Sequence, residues 1–213
     1  DSVLGGLDLA LQAMTASAPA SLWRTFEDGL AQKPQANLVV ISIPGEYAAR
    51  EAQEAIEAGL NVFIFSSNVT IEEELALKRS ASLKRLLVMG PDCGTAIING
   101  AALCFGNAVR RGNIGIVGAS GTGSQELSVR IHEFGGGVSQ LIGTGGRDLS
   151  EKIGGLMMLD AIGMLENDPQ TEIIALISKP PAPAVARKVL ERARACRKPV
   201  VVYKGGLSEA GRR

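Results

Sequence analysis

The segment 118–124 reads Gly-Ala-Ser-Gly-Thr-Gly-Ser and lies between a run typical of a buried strand and a run typical of a helix. Small residues let backbone N–H groups approach a ligand, and a helix N-terminus carries about half a positive charge. We therefore predict a phosphate or carboxylate site formed by Ser120, Gly121, Thr122 and Gly123. The segment is not a P-loop, because no Lys-Ser/Thr pair ends it. A tight turn that requires only glycine is the alternative.

Two further strand ends carry residues that could act on an anion. Gly145 and Gly146 follow one predicted strand and extend the expected phosphate site. Arg147 could clamp an oxyanion, and Asp148 could cap the following helix. Lys179 lies at another strand end, before two prolines. Arg147 and Lys179 are the candidate catalytic groups; the alternatives are an exposed arginine at a helix start and a solvated lysine.

Three strand ends in the first half could line one crevice shaped for a nucleotide-like ligand. They are the segments 43–45, 66–68 and 90–94. Cys93, in the last of them, could be a nucleophile, but no histidine lies near it in the sequence. Reactive thiols need a neighbour that lowers their pKa, so a small buried cysteine is the favoured interpretation.

The elements that must position these residues alternate along the chain. Apolar runs typical of buried strands are separated by helical patterns of 10–15 residues, which indicates crossover connections and parallel sheets. We predict an α/β fold with two tandem parallel-sheet domains, at residues 1–111 and 112–213, and a short hairpin or connecting arm at 96–107. Strands are expected at 38–43, 62–65, 86–89, 113–118, 138–142, 172–177 and 199–203, and helices at 46–58, 70–83, 123–134, 148–165 and 184–195.

Composition excludes several classes of function. Lysine plus arginine and aspartate plus glutamate both number 22 in 213 residues, so no basic excess points to nucleic acid or an anionic membrane. The single histidine and three scattered cysteines provide no CxxC pair and no two-histidine metal site. No apolar run approaches the roughly 20 residues of a membrane-spanning helix. Free cysteines favour a reducing cytoplasm. We expect the chain to be part of a longer protein.

The order of the strand-end motifs resembles the α subunit of succinyl-CoA synthetase and related acyl-CoA synthetases over about residues 35–205. Four segments are similar to the FdrA branch of that superfamily. The motifs of the superfamily are 43–44 (Ile-Pro), 54–59 (Glu-Ala-Ile-Glu-Ala-Gly), 90–93 (Gly-Pro-Asp-Cys), 115–117 (Gly-Ile-Val), 120–122 (Ser-Gly-Thr), 145–146 (Gly-Gly) and 167–172 (Asn-Asp-Pro-Gln-Thr-Glu). The FdrA-like segments are 89–95, 118–123, 145–150 and 178–182.

The resemblance implies a Rossmann-like CoA-binding domain at 1–111, incomplete at its N-terminal part, and a flavodoxin-like ligase domain at 112–213, truncated at its C-terminal end. The loop 120–122 would then lie at the helix terminus that binds the migrating phosphate. The residues that the resemblance implies for CoA binding are Ile43, Pro44, Ser66, Ser67, Asn68, Asp92 and Cys93.

The sequence also departs from the family pattern. The family's first strand and glycine-rich CoA loop have no clear counterpart here. The catalytic histidine of the synthetases lies in a Gly-His-Ala-Gly segment beyond Arg213, and His132 does not match it. Lys179 stands where the family has the carboxylate that orients this histidine, and Gln125 stands where it has a substrate-side tyrosine.

Three functional hypotheses follow from the resemblance and these departures. The first is an acyl-CoA synthetase-like subunit that binds CoA and a phosphate or acyl phosphate without a phosphohistidine. The second is a carbamoyltransferase subunit that uses carbamoyl phosphate and oxamate in the breakdown of allantoin nitrogen. The third is a non-catalytic subunit that senses CoA or a nucleotide. In each case we expect a homo-oligomer or a partner ligase or transferase subunit, with ATP or ADP and Mg²⁺ bound only through that partner.

Overall fold

The computed structural model describes residues 25–205. The helices are α1 (Phe26–Gln32), α2 (Gly45–Glu57), α3 (Ile71–Leu83), α4 (Gly121–Glu133), α5 (Leu156–Asn167) and α6 (Pro183–Arg194). The strands are β1 (Leu38–Ile41), β2 (Asn61–Ile64), β3 (Val88–Met89), β4 (Thr95–Ile98), β5 (Ala101–Cys104), β6 (Arg111–Ala119), β7 (Val138–Gly143), β8 (Ile173–Ser178) and β9 (Val200–Lys204). Helix α1 belongs to one unit, and all elements from β1 onward belong to a second compact unit.

The strands of the second unit form two sheets. The first is parallel, in the order β1-β2-β3, and the second has the order β5-β4-β7-β6-β8-β9. Strands β6 to β9 are parallel, while β4 is antiparallel to both of its neighbours. The order β7-β6-β8-β9 is the 2-1-3-4 order of flavodoxin-like sheets. The expected α/β class with two parallel-rich sheets in tandem is confirmed.

The expected hairpin is present as β4 and β5. It adds to the edge of the second sheet, where Ile97 is paired with Leu141 of β7. The second sheet therefore includes residues that precede the predicted division between 111 and 112. That division stays a prediction.

The predicted helix at 148–165 was wrong in its first two turns. Helix α5 begins only at Leu156, because Gly154 and Gly155 have φ angles of 79° and 76°, in the left-handed region that a right-handed helix does not use. Asp148 nevertheless caps the helix as expected, because its carboxylate accepts a 2.9 Å hydrogen bond from the Met158 amide. The segment 149–155 turns back, so that the Asp148 carboxylate reaches the N-terminus of α5.

The core covers both faces of the second sheet. Consecutive residues of a strand point to opposite faces. Accordingly, Ile116 packs in the cluster that receives Leu127 of α4, while Val117 packs in the cluster that contains Ile162 of α5. The latter cluster also contains Phe63 of β2, so a single core joins the two sheets. With both faces covered, the carboxyl edge of the sheet is left for ligands.

A buried network of charges joins helix α3 to the loop after β7. The fully buried Lys78 ammonium donates to Glu74 at 2.8 Å, to the Thr144 carbonyl at 2.8 Å and to Asp148 at 2.9 Å. Arg147 donates to the second carboxylate oxygen of Glu74 at 2.8 Å. Two cations and two carboxylates are thus paired, so that no charge of the network lacks an opposite partner.

Replacing Lys78 by Met should lower the free energy of unfolding by about 3–5 kcal/mol, because Glu74 and Asp148 would remain buried without their shared cation. Urea denaturation followed by circular dichroism measures the change. The matched control is Lys152→Met, since Lys152 lies 3.7 Å from Glu72 and both side chains are more than two-thirds exposed. The control should lose less than about 1 kcal/mol. Equal losses in the two variants would contradict the prediction.

Candidate functional site

Three strand-end loops meet at the carboxyl edge of the second sheet. The Thr144 amide donates to the Gly118 carbonyl at 2.8 Å, and the Cys93 thiol lies 3.5 Å from the Gly143 carbonyl. Between these loops is a cavity of about 20 Å³, enough for one water-sized group such as an oxygen of an oxyanion. The lining residues are Asp92, Cys93, Gly94, Thr95, Gly118, Ser120, Gly121, Ser124, Gly143, Gly145 and Gly146.

Two glycines allow the loops to approach this closely. A Cβ atom on Gly118 would lie 1.9 Å from the Ser124 hydroxyl oxygen. A Cβ atom on Gly145 would lie 2.7 Å from the Pro91 carbonyl oxygen, and the φ angle of Gly145 is 85°. The glycine-rich sequence is therefore required by packing between the loops and by backbone conformation.

The N-terminus of α4 lies against the cavity. Ser120 is the N-cap in an extended conformation, and its side chain makes no capping bond. Within the described residues, no acceptor is recorded for the first-turn amides of Gly121, Thr122 and Gly123. These donors and the helix dipole favour negative charge. Ser120, Gly121, Gly145 and Gly146 line the cavity, whereas Thr122 and Gly123 do not.

The structure does not place Arg147 at this cavity. Its guanidinium donates to Glu74 and, at 2.8 Å, to the Val69 carbonyl, because the buried Glu74 carboxylate requires a second cation. The oxyanion clamp expected from Arg147 is therefore not formed in this structure. Among the described residues that line the cavity, Asp92 is the one that carries a charge. Attraction of an anion must come from amides, hydroxyls and the helix dipole.

A second cavity of about 150 Å³ adjoins the first and shares Gly146 with it. It lies where β6 and β8 end, which is the switch point of the flavodoxin-like order and the usual place for a ligand. Lys179 and Ser150 line it. Lys179 is exposed and makes no ion pair with another residue in the range 25–205. It is therefore a cation at the rim of the second cavity.

The loops of the first sheet form a row that leads to the first cavity. The Ser66 hydroxyl accepts from the Ile43 amide at 3.0 Å and donates to the Ile43 carbonyl at 2.6 Å. The Asp92 amide donates to the Ser66 carbonyl at 3.0 Å. The predicted crevice residues of the three strand ends are thus contiguous. Pro44, Ser67 and Asn68 are exposed beside this row.

Cys93 is a buried thiol and not an activated one. Burial raises its pKa to about 11, since removal from water disfavours the thiolate. Its sulfur lies within 3.6 Å of the Thr95 and Gly143 carbonyl oxygens, which places the S–H as a weak donor between two loops. The geometry supports the interpretation of Cys93 as a structural residue of the site.

Gln125 and His132 lie away from the cavity. The Gln125 side chain donates to the Phe105 carbonyl at 3.0 Å, and so is bound to the end of the β4–β5 hairpin. His132 lies in the last turn of α4, at the opposite end from the cavity, where its Nδ1 atom accepts from the Arg110 amide at 2.9 Å.

Sequence reasoning missed Thr95 as a site residue. Thr95 is the first residue of β4, and its place at the end of the FdrA-like segment 89–95 is the signal that could have indicated it. It lines the first cavity, is 2% exposed, and its hydroxyl has no hydrogen-bond partner. Within residues 25–205, no group of three or more His, Cys, Asp or Glu side chains is arranged for a metal ion. None of the helices described is long and apolar enough to cross a membrane.

Comparison with known proteins identifies the superfamily of this chain. A model described as a CoA binding domain matches residues 109–206, which include β6 to β9. The chain is 31% identical over 150 residues to the ADP-forming succinate–CoA ligase subunit alpha of Aquifex aeolicus (strain VF5), covering 68% of this chain and 48% of that subunit. This chain belongs to the superfamily of succinyl-CoA ligase α subunits. The predicted superfamily is confirmed.

A second relative is more similar in sequence, but a smaller part of its length is covered. The chain is 85% identical over 169 residues to the uncharacterized protein YahF of Escherichia coli (strain K12), covering 79% of this chain and 33% of YahF. That similarity fits the FdrA branch indicated by the motifs. The chain thus spans between a third and a half of these two relatives.

A solved structure shows the same fold. The ATP citrate lyase from Methanothrix soehngenii, in complex with citrate and coenzyme A, has a TM-score of 0.75 and 20% sequence identity. The match covers 89% of this chain and 34% of the lyase chain. The similarity in fold therefore extends over both sheets of this chain.

Replacing Asp92 by Asn should strengthen the binding of inorganic phosphate about 3- to 10-fold at low salt, because it removes a negative charge from the cavity lining. Asn tolerates the positive φ of 55° at this position. Isothermal titration calorimetry measures the affinities of both proteins. The gain should shrink as NaCl is added. Unchanged or weaker phosphate binding at low salt would contradict the prediction.

Cys93 should resist alkylation by iodoacetamide at pH 7.5, because a thiol with a pKa of about 11 is almost wholly protonated there. The exposed Cys104 provides an internal comparison, and mass spectrometry gives the rate at each site. Protection of Cys93 should disappear in urea. If Cys93 in the folded protein reacts as fast as Cys104, its assignment as an inert buried thiol is wrong.

Proposed function

We propose that this chain is the CoA- and phosphate-binding part of an acyl-CoA synthetase-like enzyme subunit. The observation that carries the proposal is the polar cavity between the N-terminus of α4 and the loops after β3 and β7. Its lining contains four of the six residues predicted to bind phosphate, and none of these four requires a change of fold to reach an anion.

The two cavities suit different parts of an acyl phosphate. The smaller one accommodates an oxygen of the phosphoryl group against the α4 amides, and the larger one, near Lys179, accommodates the remainder. A thiol that has lost its proton to water attacks the acyl carbonyl carbon as a thiolate and forms a thioester, while the bond between that carbon and the phosphate oxygen breaks. Phosphate leaves with the electron pair and an added negative charge. Fixed amide dipoles and the Lys179 ammonium would stabilise that charge.

The row formed by Ile43, Ser66 and Asp92 is the proposed path of CoA to this site. The row is exposed at Ile43 and ends at the cavity, so a thiol at the tip of a long flexible arm would meet the phosphoryl group there. The match to a CoA-binding model at 109–206 supports contacts with the second sheet as well. We therefore propose that CoA contacts both the row of the first sheet and residues of the second sheet.

A partner subunit or domain would supply the nucleotide. The Aquifex relative is named as a subunit alpha, which supports assembly with another chain. We assign ATP or ADP and Mg²⁺ to that partner. The three free cysteines, at least one of them exposed, favour the cytoplasm as the location.

Transfer of a carbamoyl group from carbamoyl phosphate is a second candidate, favoured by Lys179. The family's carboxylate at this position orients a histidine, whereas an ammonium repels an imidazolium and attracts an anion. Lys179 at the rim of the 150 Å³ cavity would bind an anionic acceptor such as oxamate. The same α4 amides would receive the departing phosphate.

Calorimetric titration of the chain with CoA and with inorganic phosphate tests the proposal. Both should bind, and CoA should bind more weakly when Ser67 in the exposed loop after β2 is replaced by Trp. Release of phosphate from carbamoyl phosphate with oxamate and a partner subunit, without any CoA binding, would favour the second candidate. CoA binding without turnover in the assembled enzyme would indicate a sensing subunit. A folded chain that binds neither CoA nor phosphate would overturn the proposal.

Replacing Gly146 by Leu should weaken phosphate binding at least about 10-fold, because Gly146 lines both cavities and a Cβ atom there meets no other atom within 4 Å. The side chain would therefore occupy ligand space without disturbing the fold. Calorimetry gives the affinity, and urea denaturation should show a change below about 1 kcal/mol. The matched control is Gly163→Leu in α5, away from both cavities. Equal phosphate affinities in the two variants would count against the site.

A further inference from the structure

The Thr95 hydroxyl is a buried polar group without a partner. Thr95 is 2% exposed, and its Oγ1 atom has no hydrogen-bond partner in the structure. Buried hydroxyls are nearly always hydrogen-bonded in proteins, so an unpartnered one requires an explanation. Thr95 lines the polar cavity at the N-terminus of α4, where a ligand could provide the missing partner.

Strand geometry directs this hydroxyl toward α4. Alternate residues of a strand share a face of the sheet, so Thr95 points to the same side as Ile97. Ile97 packs in the cluster that receives Leu127 and Ile131 of α4, whereas the intervening Ala96 packs on the α5 side. Because β4 runs antiparallel to β7, its first residue lies at the carboxyl edge, where α4 begins.

Other polar atoms near Thr95 are already used within the protein. The Ser124 hydroxyl donates to the Ser120 carbonyl at 2.7 Å, and the Thr144 hydroxyl lies 3.3 Å from the Gly118 carbonyl. The backbone carbonyl of Thr95 lies 3.6 Å from the Cys93 thiol. The side-chain hydroxyl of Thr95 remains available to donate to a ligand. Two hydroxyls of the lining therefore remain unused: that of Ser120, which is half-buried and makes no capping bond, and that of Thr95, which is fully buried.

We propose that the Thr95 hydroxyl donates a hydrogen bond to a tetrahedral oxyanion bound at the N-terminus of α4. The inference rests on the proposed function and adds a binding residue that the sequence analysis did not name as a site residue. Donors would then surround the anion from three elements: the first turn of α4, the loop at Gly145 and Gly146, and β4. Donors on three sides match the tetrahedral oxygens of a phosphoryl group better than the planar oxygens of a carboxylate.

The test compares Thr95→Val, which keeps the shape and removes the hydroxyl, with Thr95→Ser, which keeps the hydroxyl. Calorimetric titration with inorganic phosphate should show about 10-fold weaker binding for Thr95→Val and no more than about 3-fold weaker binding for Thr95→Ser. Acetate, as a carboxylate probe, should bind the unaltered chain more weakly than phosphate does.

Stability separates this role from a structural one. Without phosphate, the Tm of Thr95→Val should equal or exceed that of the unaltered chain, because a buried unpartnered hydroxyl is removed. With phosphate, the Tm of the unaltered chain should rise more than that of the variant. If Thr95→Val proves unstable, Thr95→Ala gives the same comparison.

Three results would overturn the inference in different ways. If phosphate binds the unaltered chain and Thr95→Val equally well, the hydroxyl contacts only water, and the proposed function survives. If Thr95→Ser loses as much affinity as Thr95→Val, altered packing at this position rather than loss of the hydroxyl is responsible. If the unaltered chain binds no phosphate, the proposed phosphate site fails together with this inference.

Discussion

The position of the buried Lys78 ammonium constrains the rest of the site. It bonds Glu74 on its own helix, and the Thr144 carbonyl and Asp148 in the loop after β7. A buried cation is tolerated only with such complete pairing, so helix α3 and this loop must keep one relative arrangement. The same network orients Arg147 toward Glu74 and leaves the backbone of Gly145 and Gly146 at the cavity.

The proposed site would attract anions mainly with neutral donors. Its smaller cavity is surrounded by amides and hydroxyls, and the Lys179 side chain lines the adjoining cavity. Dipoles fixed by the fold need no reorganisation when charge develops on a leaving group. Such an arrangement suits the transfer of an acyl or carbamoyl group away from phosphate, in which charge accumulates on the phosphate oxygens.

Local patterns in the sequence were enough to predict the strand ends, but not that the loop after β3 meets the loops after β6 and β7 at one cavity. The apolar runs defined the parallel strands, and the glycines marked the loops at their carboxyl ends. Long-range pairing was not predictable: Glu74 lies 73 residues from Arg147, and no periodicity connects them. The late start of α5 depends on the left-handed conformation of Gly154 and Gly155, which a helical pattern tolerates. The role proposed for Thr95 depends on one buried hydroxyl that has no hydrogen-bond partner, and no sequence pattern indicates that.

The central claim is that the amides at the N-terminus of α4 bind negative charge from the open cavity. Titration of the ¹⁵N-labelled chain with phosphate, followed by NMR at constant ionic strength, tests it most directly. We expect saturable shifts at Gly121, Gly145 and Gly146, and no comparable shifts in the last turn of α4. Unchanged resonances at these glycines, in a folded chain with phosphate in large excess, would contradict it.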